Sequence, residues 1–122
     1  MLRSKLLAVV LLVVCGAVAV VGVGVASGAA RTTVTIKYNG DGFQGKVKSA
    51  KPKCVRNRTV NVYKQKGSEP NRSVDEKLYT DTSDSEGRWD TGTSGQAHGK
   101  FYARAKRKTG CRAGISPTIH AP

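Results

Sequence analysis

Two cysteines, Cys54 and Cys111, each lie within a stretch crowded with cations and free of acid. Lys46 to Arg58 holds six Lys and Arg, and so does Lys100 to Arg112. A disulfide between them would bring Cα atoms from these distant segments to within about 4.4 to 6.8 Å. Lys51, Lys53, Arg56, Arg58, Lys106, Arg107, Lys108 and Arg112 would then share one end of a small domain. The chemistry such a cluster offers is anion binding, by ammonium point charges and by guanidinium forks suited to oxyanions.

Other chemistry is poorly supplied. His98 and His120 are the only histidines, and neither stands in a metal-ligand spacing. Asp81, Asp84 and Glu86 precede Gly87, but the calcium-loop register would put Thr82 in its first place and Thr93 in its twelfth, so a polar turn is expected there. With no nucleophile elbow, zinc motif or phosphate loop, no catalytic residue, metal ligand or cofactor is assigned. Tyr63, Tyr79 and Tyr102 are scattered, a weak footprint for nucleic acid. Asn57-Arg58-Thr59 and Asn71-Arg72-Ser73 fit the glycosylation acceptor pattern and read as surface loops.

The first thirty residues explain how cysteines would meet an oxidising environment. Arg3 and Lys5 precede an apolar and glycine run from Leu6 to Val25, and Ala26-Ser27-Gly28-Ala29-Ala30 is small enough for a signal peptidase. The composition favours a signal peptide cleaved near Ala29 or Ala30. The alternative is a signal anchor, since an apolar helix over residues 6–25 would span a hydrocarbon core of about 30 Å. Either way residues 31–122 lie outside the cytoplasm, secreted or tethered. Cys15, in mid-run after Val13 and Val14, reads as an inert thiol. The remaining two cysteines then have only each other as intramolecular partners.

The chain carries 21 Lys and Arg against 8 Asp and Glu, a formal net charge of +13, which argues for contact with polyanions. Seven of the acids fall between Glu69 and Asp90, so a positive end and a more acidic flank are expected.

Residues 31–122 suffice for one domain, and its elements read as short strands. Val34, Ile36 and Tyr38 alternate with Thr33, Thr35 and Lys37; Asn39-Gly40-Asp41-Gly42 supplies a turn; Phe43, Gly45 and Val47 alternate again, giving a hairpin. Pro52 interrupts the following segment, a loop over Ser49 to Arg56 that crosses to another part of the sheet. Thr59 to Tyr63 predicts a third strand with Val60 and Val62 inward. Leu78 and Thr80 share a face of a fourth, Arg88-Trp89-Asp90 resumes extended structure, and Trp89 is expected in the core. Lys100 to Lys106 points Phe101, Ala103 and Ala105 inward, and a last strand over Ile115 to His120 is placed at an edge by Pro117. No 3.6-residue stripe interrupts this pattern. The expectation is all-β: an antiparallel Greek-key sandwich of seven strands, or six to eight, behind an N-terminal apolar helix.

The order Phe43-x-Gly45-x-Val47-x-Ser49, Cys54, Arg58-x-Val60-x-Val62, Thr80-Asp81, Gly87-x-Trp89, Gly99-x-Phe101-Tyr102-Ala103 and Cys111 resembles small secreted bacterial β-sandwich proteins of the transthyretin-like, carboxypeptidase regulatory-like group. The resemblance implies a seven-stranded Greek-key sandwich without catalytic residues, serving as a structural or adhesive module. A hydroxyisourate-processing relative ends in Tyr-Arg-Gly-Ser; Thr118-Ile119-His120-Ala121-Pro122 does not, and that activity is not carried over. The functional expectation is an exported, non-enzymatic binding or structural module of the cell envelope. Its basic end would dock on an anionic envelope polymer or on lipid headgroups at the membrane surface. The rivals are a small exported enzyme or inhibitor using loop residues near His98, and a toxin-like or adhesin-like factor with a protein partner.

Overall fold

Alternation of apolar and polar residues over short runs, punctuated by turn-forming residues, builds two antiparallel sheets. The computed structural model describes residues 28–122. The apolar helix expected over residues 6–25 and Cys15 lie outside them. Nine strands follow in order: β1 (Thr33–Val34), β2 (Lys37–Tyr38), β3 (Phe43–Lys48), β4 (Thr59–Lys64), β5 (Glu76–Thr82), β6 (Arg88–Asp90), β7 (Gly99–Ala105), β8 (Gly114–Ile115) and β9 (Ile119–Ala121). One sheet pairs β3 with β1, β2 and β6, and the other runs β5-β4-β7 with β8 and β9 both on the far edge of β7.

The nine strands are seven runs of chain, two of which are broken. Thr33↔Lys48, Val34↔Val47, Lys37↔Gln44 and Tyr38↔Phe43 share one register, so the expected strand from Thr33 to Tyr38 is continuous in pairing but kinked at Thr35. There the Lys46 N–H donates to the Thr35 hydroxyl at 2.9 Å, and the Thr35 carbonyl swings over Gly45, where a Cβ would lie only 1.9 Å from it. Glycine is required here by a close backbone approach. Pro117 likewise splits the last strand into β8 and β9. Across that gap Ser116 exchanges two bonds with Ala103, accepting its N–H on Oγ and donating its own N–H to its carbonyl, each at 2.8 Å.

The turn at residues 39–42 closes as its composition predicts: Asn39 Oδ1 accepts the N–H groups of Asp41 and Gly42, and Gly40 takes φ +94°. The segment after β3 includes a 3₁₀ turn at Pro52–Cys54 and crosses to the second sheet. Crossovers of this kind set β3 beside β6 and β4 beside β7, the Greek-key arrangement.

The core lies between the sheets. Val34, Phe43, Val47 and Trp89 face Val60, Val62, Phe101, Ala103 and Ala105, and Phe43 meets Phe101 with ring centroids 4.9 Å apart. The face of β5 carrying Thr80 points outward, while Tyr79 turns toward Phe43 at 6.2 Å. A bulge in β5 leaves Leu78 unpaired opposite the Val62–Tyr63 step of β4 and lets it pack against the core.

Tyr102 is fully buried although it stacks on Tyr63 on the outer face of the second sheet. The loop between β4 and β5 folds back to cover it. Asp75 holds that loop down by accepting the Tyr102 hydroxyl at 2.6 Å and the N–H groups of Asn71 and Lys66 at 2.6 and 2.9 Å.

Candidate anion-binding pole

Cys54 and Cys111 form the disulfide, with Cα atoms 5.5 Å apart. Both are fully buried, and the link joins the segment before β4 to the segment between β7 and β8. Ala30 belongs to the same assembly: its N–H donates to the Gly110 carbonyl at 3.0 Å and its own carbonyl accepts from Arg112 N at 2.8 Å.

Arg58, expected among the anion-binding cations, does not reach the surface. It is one of the largest fully buried side chains in the domain. Nη1 donates to the Thr32 hydroxyl and the Cys54 carbonyl at 2.9 and 2.8 Å; Nη2 donates to the carbonyls of Lys106 and Arg112, each at 2.8 Å. Burial lowers its pKa from the usual arginine value, yet an arginine so placed keeps its proton. Its charge is met by four oxygens from three segments of chain, with no carboxylate among them. The sequence expectation failed because a basic residue inside a basic run gives no sign that its partners are main-chain carbonyls.

Lys108 is a second brace. Half-buried, it turns its ammonium onto the carbonyls of Lys53 and Arg56 at 3.0 and 3.3 Å, binding the two loops across the disulfide. Lys51, Lys53, Arg56, Lys106, Arg107 and Arg112 remain exposed. Among the described residues the only ion pairs belong to Arg88, so none of these six is matched by an acid. The result is a cationic pole on a scaffold tied by one covalent link and two buried or half-buried cations.

The acids are less segregated than their sequence positions suggest. Ser83 is bonded to this same end: its N–H donates to the Arg58 carbonyl, its carbonyl accepts from Asn57 N, and its hydroxyl donates to the Val55 carbonyl. The turn carrying Asp84 and Glu86 therefore borders the pole. Both carboxylates are engaged locally, Glu86 with Arg88 Nη2 at 2.7 Å and Asp84 with Arg88 Nε at 3.4 Å. Asp84 also accepts the N–H groups of Glu86 and Arg88, and these bonds hold its pKa below the ordinary carboxylate value.

His98 sits at the opposite end, beside Tyr38, Gln96 and Pro122, with Nδ1 in hydrogen-bond contact with the Pro122 carbonyl oxygen. Among the described residues no helix is long and apolar enough to cross a membrane. No protein-family model, curated protein or solved structure matches the chain.

Proposed function

We propose that this protein is an exported, non-enzymatic module of the cell envelope that docks on an anionic envelope polymer or headgroup surface through the disulfide pole. In this reading it is a sandwich of the transthyretin-like kind that its motif order resembles. The observation that carries the reading is the pole itself: six exposed, unmatched cations on two loops fastened by Cys54–Cys111 and by Arg58. A disulfide of this kind belongs with an oxidising, extracytoplasmic compartment. The leader of residues 1–30 would deliver the domain there, released or tethered.

A cation near an anionic lipid surface contributes about 1 kcal/mol, so several acting together retain a small domain at low salt. The same attraction is screened beyond about 8 Å at physiological ionic strength. Retention of the full-length chain on envelope fragments, washed at low and then high salt, tests the idea. Charge reversal at Lys51, Lys53, Arg107 and Arg112, which leaves the braces Arg58 and Lys108 intact, should abolish salt-sensitive retention. Unchanged retention would remove the proposal.

A further inference from the structure

A second cationic site lies on the outer face of the larger sheet. A groove of about 280 Å³ is bounded by Arg72, Lys77, Arg104 and Lys106, with Thr59, Asn61, Tyr63 and Thr80 completing it. Four cations and no acid line it. Arg104 and Lys106 rise from the end of β7 and Lys77 from β5, whereas Arg72 is brought over the sheet by the covering loop that Asp75 pins to Tyr102.

Among its walls Asn61 is the informative residue. It is only 5% exposed, and its carbonyl oxygen is taken by the Thr80 hydroxyl at 2.7 Å. Its amide nitrogen makes no hydrogen bond to protein among the described residues and is not sealed from solvent, so both N–H donors are open to the groove. Arg104 is held below the usual arginine pKa by burial first and by the like charge of Arg72 second, as expected of two guanidiniums lining one groove.

We infer that this groove holds one phosphodiester group of a linear polyanion. Guanidiniums from the loop above and the strand below, with an amide at the floor, surround a ligand from several directions. That suits a tetrahedral oxyanion better than a planar carboxylate, whose lone pairs lie in one plane. Lys106 closes the groove at the disulfide end and also belongs to the pole. A polymer with repeated charge can therefore continue from one site to the other, which a single free ion cannot. Apart from Lys106 the groove uses none of the pole's residues, so the two readings can fail separately.

The test is titration of the ¹⁵N-labelled full-length chain with a synthetic glycerol-phosphate oligomer, with inorganic phosphate, and with phosphatidylglycerol vesicles. The oligomer should move the Asn61 side-chain amide resonances, and Arg72→Gln and Arg104→Gln should each weaken its binding about tenfold. Arg72 is an exposed loop residue, so its replacement leaves the fold intact. Oligomer binding that spares the Asn61 signals, or survives both arginine changes undiminished, would overturn the inference. So would inorganic phosphate binding as tightly as the oligomer, or binding confined to the vesicles.

Discussion

Arg58 Nη2 donates to the main-chain carbonyl of Arg112 at 2.8 Å, so one cation of the basic runs is spent on holding another in place. With its bonds to the carbonyls of Cys54 and Lys106 and to the Thr32 hydroxyl, the guanidinium is a non-covalent counterpart of the disulfide beside it. The pole is thus built around a buried charge, and its exposed cations stand on loops that would otherwise repel each other.

Arg58→Ala should destabilise the domain by roughly 3 kcal/mol or more, because several buried acceptors lose a charged donor at once. Arg58→Lys should recover only part, since an ammonium cannot span acceptors on both sides of a planar fork. Urea denaturation followed by Trp89 fluorescence reads both; Trp89 is 2% exposed in the fold.

Removal of the disulfide by a Cys54→Ser, Cys111→Ser double change should cost about 4 kcal/mol in the chain-entropy model for a separation of 57 residues. Arg58 and Lys108 would still join the loops. The double variant should therefore keep the sheet registers at low temperature, seen as native amide shifts for β4 and β7, while its melting temperature falls.

The loop that carries Arg72 should loosen in acid. Burial alone would raise the Asp75 pKa, but bonds from Tyr102, Asn71 and Lys66, with the Lys66 charge, outweigh it and hold the carboxyl below the usual range. A depressed folded pKa means its stabilisation is complete above the unfolded value of about 3.9 and is lost as pH falls through the folded one. Hydrogen exchange at the Asn71 and Lys66 amides should accelerate, beyond its intrinsic pH trend, only below about pH 4. Tyr102→Phe removes one donor and should move that onset to higher pH. The Tyr102 pKa is itself raised, by burial first and Asp75 second, so the hydroxyl stays a donor at neutral pH.

Gly45→Ala should destabilise by about 1–3 kcal/mol, since the new methyl would meet the Thr35 carbonyl at 1.9 Å and Trp89 at 2.8 Å. Thermal melting checks this, and Lys46→Ala on the same strand, exposed and without a backbone clash, serves as the control.

Strand positions and the core face were legible because period-two alternation is local: Val34, Phe43, Val60, Phe101 and Trp89 are all inward as their neighbours imply. The disulfide was legible from counting. Arg58 was not, because its role depends on carbonyls 48 and 54 residues away. Nor was the groove. Arg72 and Arg104 lie in different segments and meet only because the loop between β4 and β5 folds over Tyr102, a consequence of Asp75 that no periodicity carries. The kink at Thr35 was missed for a similar reason, being a side-chain hydroxyl substituting for a ladder acceptor.

The central claim is that position, not net charge, makes the pole bind. Its most direct measurement compares two triple charge reversals of equal charge in the full-length chain, titrated at low salt against anionic envelope fragments. Lys51→Glu, Lys53→Glu, Arg107→Glu alters the pole, and Lys37→Glu, Lys46→Glu, Lys64→Glu alters exposed residues elsewhere. The pole variant should lose affinity by on the order of a hundredfold while the other stays within a few-fold of the native protein. Equal losses in the two would contradict the account and leave only a non-specific basic surface.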